Sequence, residues 1–161
     1  VSEIIVRTLH SDDARSASSL IDARFAGTRY RDRMHELLES ALRFEDDEHL
    51  GLVGADDGAA GVCALALHGA IAGAHGVMRL HALVGDGSSS DAAVLRALLT
   101  ASAHERMLVC ELPDDAPFEH VARALTRSGF IEEGRVDDLV ADGVSMRLLV
   151  RRVHPAGDDA C

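Results

Sequence analysis

The chain has 161 residues, 47% of them apolar, and a formal net charge of −11 at pH 7. That length suits one domain with a core that needs no staples, and no apolar run approaches the ~20 residues of a membrane span. So acidic a chain repels a phosphate backbone, which excludes nucleic acid as an expected partner. It contains no Lys, so a Schiff-base lysine and a phosphate-loop lysine are excluded as well.

The first residues are charged and lack the pattern of a signal peptide, which predicts a cytoplasmic protein with no membrane attachment. The three cysteines, Cys63, Cys110 and Cys161, are widely spaced and form no CxxC pair, so neither a disulfide framework nor a structural zinc site is expected. Cys63 and Cys110 stand in apolar runs and read as small buried hydrophobes.

In chain order, Glu3–Thr8 reads as a first strand carrying Ile4, Ile5 and Val6. Ser11, Asp12 and Asp13 offer acceptors for the free N–H groups of a helix running to about Phe25, which Gly27 ends. Met34, Leu37, Leu38, Ala41 and Leu42 form one apolar stripe on a 3.6-residue period, the mark of a second helix. His49–Ala55 and Ala60–Leu67 flank Asp57 and Gly58, a hairpin signal. Val77–Val84 is a further strand. The run Gly85–Ser90 cannot continue it and leads into a helix starting near Asp91, with Val94, Leu95, Leu98, Leu99 and Ser102 on one face. Met107–Leu112 is the next strand. Pro117 suits the opening of a helix striped by Phe118, Val121, Ala122 and Leu125, which Gly129 stops. Phe130–Val136 and Val144–Val153 close the chain around the turn at Asp142 and Gly143. Residues 1–153 are therefore expected as a single domain, and 154–161 as a polar, disordered tail. The predicted class is α/β (α+β): a mixed, mostly antiparallel sheet of about seven strands flanked by about four helices, in the order β-α-α-β-β-β-α-β-α-β-β.

That order, the helix Ala124–Ser128 ending in Gly129 and Phe130, the residues Glu133, Gly134 and Arg135 after it, and the Leu52–Ala66 hairpin resemble the GNAT superfamily of acyl-CoA-dependent N-acyltransferases. The likeness runs from about Ile4 to Val153. It implies acyl transfer from acetyl-CoA or another acyl-CoA to an amine of a small molecule or peptide, with no metal. Dimers are common in the resembled family, which admits a homodimer.

The family seats the CoA pyrophosphate on a tight loop at a helix N-terminus, where free N–H groups and the helix dipole favour an anion. Here that region is Gly85–Leu95, and the resemblance implies Leu83, Val84, Gly87, Ser88, Ser89, Ser90, Ala92 and Ala93 as the cofactor-binding residues. The family's Arg/Gln, first Gly and final small residue fall on Ser90, Ala93 and Leu95. The charged or amide group is thus missing, and Leu95 adds bulk where a phosphate should approach. The family's acidic Tyr position is Leu125, and the sole tyrosine, Tyr30, reads as a half-buried residue at a helix start. Glu111, at a strand end beside the cleft the family forms, and His81, in the strand before the loop, are the candidate catalytic bases. The alternative is a catalytically inactive GNAT-like domain used for ligand binding or protein–protein assembly. A third reading joins His68, His75 and His81 across strands as a metal site.

Overall fold

The computed structural model describes residues 3–56, 61–85 and 89–153. The expected turn at 57–58, Gly87, Ser88 and the 154–161 tail lie outside the described residues.

The elements are β1 (Ile4–Thr8), α1 (Ala14–Phe25), α2 (Arg31–Arg43), β2 (Leu50–Asp56), β3 (Val62–Ala70), β4 (Val77–Gly85), α3 (Ser90–Ala101), β5 (Met107–Pro113), α4 (Glu119–Arg127), β6 (Ile131–Ala141) and β7 (Val144–Arg152). Short 3-10 turns, Ser11–Asp13 and Ala116–Phe118, lead into α1 and α4. This is the predicted order. The strands form one seven-stranded sheet in the spatial order β1-β2-β3-β4-β5-β7-β6. Every neighbouring pair is antiparallel except β4 and β5.

Periodicity explains the helices. The α2 stripe buries Met34, Leu37, Leu38 and Ala41, and α1 buries Ala17, Leu20, Ile21 and Phe25 at equivalent spacing. In the sheet, Ala64, Leu65, Ala66 and Leu67 are all buried, because both faces of β3 are covered there, and a doubly covered strand reads as a continuous apolar run. Cys110 is buried as expected, and burial pushes its thiol up to about 12. Cys63 is only half-buried, its thiol donating to the Gly54 carbonyl.

Asp13 supplies an acceptor at the helix start, as expected: its carboxylate accepts from the His10 N–H, at the N-cap of the 3-10 turn that leads into α1, at 2.8 Å, and it also pairs with Arg7 at 2.7 Å, which meets its buried charge. The expected strand end at Val136 is corrected: β6 continues to Ala141. A register shift absorbs the residues after Val136, with Asp138 at φ 54 and its carboxylate accepting from the Gly143 N–H.

Candidate active site

The parallel β4–β5 ladder pairs Val77 through Leu80 with Met107 through Cys110 and stops there. Both strands continue, β4 to Gly85 and β5 to Pro113, so their C-terminal halves part and open the sheet. Leu83 and Val84 stay paired to Ala66 and Leu65 of β3. On the β5 side, the edge of residues 81–85 has no strand pairing.

Side chains alternate along β5. Leu112 lies opposite Arg147 of β7, and Arg147 lines a cavity under α4 with Glu119, Ala122 and Thr126. Glu111 therefore faces the other side of the sheet, toward α2. There a cavity of about 260 Å³ is lined by Tyr30, Arg33 and Met34 of the α2 region, Arg79 and His81 of β4, and Glu111 of β5, among others. The two bases expected from sequence thus share one cavity at the opening. Glu111 is half-exposed, with Arg79 Nη2 at 4.0 Å from its Oε1, a charge contact beyond hydrogen-bond length. His81 Nε2 lies 2.7 Å from the Glu48 carbonyl oxygen. A carbonyl only accepts, so Nε2 carries the proton and Nδ1 keeps the lone pair. The ring stacks on His49, with centroids 5.3 Å apart. Burial holds the His81 pKa below the usual histidine range, partly offset by the Glu48 hydrogen bond.

Tyr30 is more deeply placed than its sequence position suggests. It is 8% exposed, and its hydroxyl donates to Asp115 Oδ2 at 2.6 Å. Burial, reinforced by the carboxylate, pushes its pKa up to about 12. Its ring meets Phe118 edge to face at 4.7 Å. Nothing in the local pattern around Tyr30 announces a partner so far along the chain.

The first turn of α3 answers its own polar groups. Ser90 is 0% exposed and its hydroxyl donates to the Cys63 carbonyl, so it turns toward β3 rather than outward. The Ala92 N–H donates to Asp91 Oδ1 at 2.9 Å, and the Ala93 N–H to the Ser89 carbonyl at 3.1 Å. Two of the expected anion donors are therefore already engaged, because the helix answers its own free N–H groups with the adjacent carboxylate. Ser89, at the N-cap, is exposed. Leu95 is 1% exposed and belongs to the core, so its bulk is spent inward.

Positive charge reaches this region from other helices. Beside the α3 N-terminus, a cavity of about 400 Å³ is lined by Asp91, Ala92 and Leu95 of α3 and by His120, Arg123 and Arg127 of α4. His120 Nε2 and Arg24 Nη2 are buried atoms without a hydrogen-bond partner. Burial, with Arg24 and Arg123 nearby, holds the His120 pKa below its ordinary value, and Asp91 opposes them. Arg123 and Arg127, which line the cavity beside the helix N-terminus, offer guanidinium donors of the kind that suit phosphate oxygens. These side chains fit an acyl-CoA phosphate.

No family model matches the chain, and no curated protein matches its sequence significantly. Solved structures match its fold. A protein from Desulfovibrio desulfuricans assigned to the GNAT acetyltransferases superposes with a TM-score of 0.79 at 16% identity, covering 94% of this chain and 100% of that one. The ribosomal-protein-S18-alanine N-acetyltransferase of Escherichia coli gives 0.71 at 13% identity over 99% of each chain. An acetyltransferase-type protein from Salmonella typhimurium, solved with its cofactor acetyl-CoA, gives 0.71 at 13% identity over 98% of this chain and 99% of that one. The chain has the GNAT fold.

Within this GNAT fold the three histidines of the metal reading do not form a metal site. His68 lies near His81 across the β3–β4 ladder, but His81 stacks on His49, and the His75 carbonyl accepts from Arg106. Among the described residues no group of three His, Cys, Asp or Glu side chains is placed to hold a metal ion. No helix among them is long and apolar enough to cross a membrane.

Proposed function

We propose that the chain is an acyl-CoA-dependent N-acyltransferase, in its simplest form an N-acetyltransferase, acting on an amine of a small molecule or peptide. One observation carries this reading: the sheet opens where β4 and β5 part, with the Glu111–His81 cavity on the α2 side and a cationic cavity beside α3 and α4. Acyl-CoA, when bound, supplies an acyl carbon activated as a thioester. Arg123 and Arg127, with His120 beside them, would hold its phosphates in place of the loop Arg or Gln that this chain lacks. Backbone N–H groups of the unpaired edge at Leu83 and Val84 would donate to the carbonyl oxygen as charge develops there. Glu111 takes the proton that the amine nitrogen loses as the new C–N bond forms; the C–S bond breaks, and CoA leaves as a thiolate that takes its proton from water. Neutral His81, with its lone pair on Nδ1, is the second base at the opening. Tyr30 keeps its proton and, tied to Asp115, walls the cavity.

The direct test is calorimetry with acetyl-CoA, followed by thiol release in the presence of amines. Binding in the micromolar range with amine-dependent release is expected; no binding at millimolar CoA sinks the reading. The second reading, an inactive GNAT-like domain, is favoured by the first turn of α3: the Ala92 and Ala93 N–H groups are engaged and Ser90 is buried. It predicts CoA or partner binding without turnover of any amine.

A further inference from the structure

The face of the sheet that carries Glu111 presents three chemistries in a row. Arg79 of β4 lies opposite Val109, two residues before Glu111 on the same face. Glu111 lies opposite Leu148 of β7, and Pro113 opposite Met146. Beyond them, Gly134 and Val136 of β6 pair with Leu148 and Met146. Adjacent strands are about 4.8 Å apart, so guanidinium, carboxylate and apolar surface follow one another across β4, β5, β7 and β6.

Among the described residues, neither end of the row is fully met by protein. Arg79 Nε is a buried atom without a hydrogen bond, and the nearest carboxylate contact of that guanidinium is the 4.0 Å approach to Glu111. Val136, Leu139 and Leu148 are exposed. With Gly134 and Met146 they line a cavity of about 360 Å³ whose wall also includes Glu111 and two arginines, Arg135 and Arg147, both within ion-pair distance of Asp114. Glu111 and Met146 stand in the wall of this cavity and of the 260 Å³ one beside Tyr30, so the two adjoin.

We propose that the acceptor is a free α-amino acid with an apolar side chain. The three groups of such a molecule, carboxylate, ammonium and side chain, branch from one carbon and match the row. Arg79 takes the carboxylate, Glu111 the ammonium, and the Val136–Leu139–Met146–Leu148 surface the side chain. A guanidinium binds a carboxylate through paired N–H groups, which fixes orientation as well as charge. A polyhydroxylated polyamine would instead set cations against Arg33 and Arg79 and leave hydroxyls on apolar surface without partners. A peptide N-terminus would offer Arg79 only a neutral carbonyl. The inference rests on the acyl-transfer reading for the task of Glu111 and goes beyond it in naming the acceptor.

The test is calorimetric titration of the chain with L-leucine, L-methionine and L-phenylalanine, each beside its amide, with L-serine and with a leucine-initiated tripeptide. CoA is titrated separately. The apolar amino acids are expected to bind at least about tenfold more tightly than their amides, serine or the tripeptide, a difference of about 1.4 kcal/mol. Arg79→Met should erase the preference for acid over amide. Leu139→Asp, at an exposed position, should weaken leucine binding about tenfold, and both variants should keep the parent's CoA affinity. Equal or tighter binding of leucinamide, serine or the tripeptide overturns the proposal, as does CoA binding with no amino acid bound. Leucine binding without CoA binding would leave the amino-acid site standing but remove the acyl-transfer reading, and with it the amino acid's role as acceptor.

Discussion

Glu111 and His81 stand in one cavity but in different surroundings, and that separates their behaviour. Glu111 is half-exposed beside Arg79, whereas His81 is half-buried with one nitrogen committed to the Glu48 carbonyl. Glu111→Gln removes the base without changing shape, so kcat/KM with an amine should fall about 10²–10³-fold, with CoA affinity by calorimetry unchanged. Retained activity would move the base to His81. His68, on β3, carries the clearest pH dependence. Burial lowers its pKa to about 4, with His81 adding to the effect. The unfolded chain takes up that proton near the ordinary value of about 6.5, so between there and about pH 4 it binds more protons than the native state. Stability is therefore intact above that window and falls as the pH drops through it, by up to about 3 kcal/mol from this group. In His68→Leu, urea unfolding at pH 7 and pH 4.5 should show a smaller loss than in the parent chain. That Glu111 and His81 were worth testing came from the resemblance, which implies a cleft beside the end of Met107–Leu112 and a loop after the strand that carries His81. Tyr30 was not legible, since its hydrogen bond to Asp115 spans 85 residues.

At the scale of elements, α3 illustrates the limit of reading a loop by its own letters. Its Ser and Ala residues were expected to donate to phosphate, yet Asp91 and Ser89 already accept from the Ala92 and Ala93 N–H groups. The cations come from α4, with Arg24 of α1 acting on His120. Replacing Arg123 and Arg127 together by Ala should weaken CoA binding about tenfold or more and flatten its salt dependence, since a charged hydrogen bond contributes about 1.5–3 kcal/mol. An anion beside His120 also raises that ring's affinity for a proton. CoA binding near pH 6.5 should therefore take up protons, which calorimetry in buffers of different ionisation enthalpy would reveal. Gly69 does related work for His81. A Cβ on Gly69 would lie 1.9 Å from the Glu48 carbonyl oxygen, the acceptor of the His81 N–H. Gly69→Ala should push the 46–48 segment away, cost about 1–3 kcal/mol, and release His81 from that hydrogen bond, visible as a shifted imidazole titration by NMR.

The whole molecule combines a strongly acidic chain with a local cationic cavity. A net charge of −11 repels itself in the compact state, so raising NaCl from low to about 0.5 M should raise Tm, by about 2–4 °C for each kcal/mol of repulsion screened; a falling Tm would mean that the surface ion pairs dominate. The order of strands and helices, the α2 stripe and the buried run of β3 were legible because periodicity records which face of an element meets apolar neighbours. The bulge in β6 was hidden, because Asp137 and Asp138 have the same letters in a turn and in a bulge. By itself the sequence determined the architecture and the place to look, since core packing is written in the spacing of apolar residues along each element. Only the tertiary structure decided what that place contains. The opening between β4 and β5, the cations supplied by α4, and the row from Arg79 through Glu111 to Leu148 all depend on register and crossover, which bring together side chains that no local pattern connects.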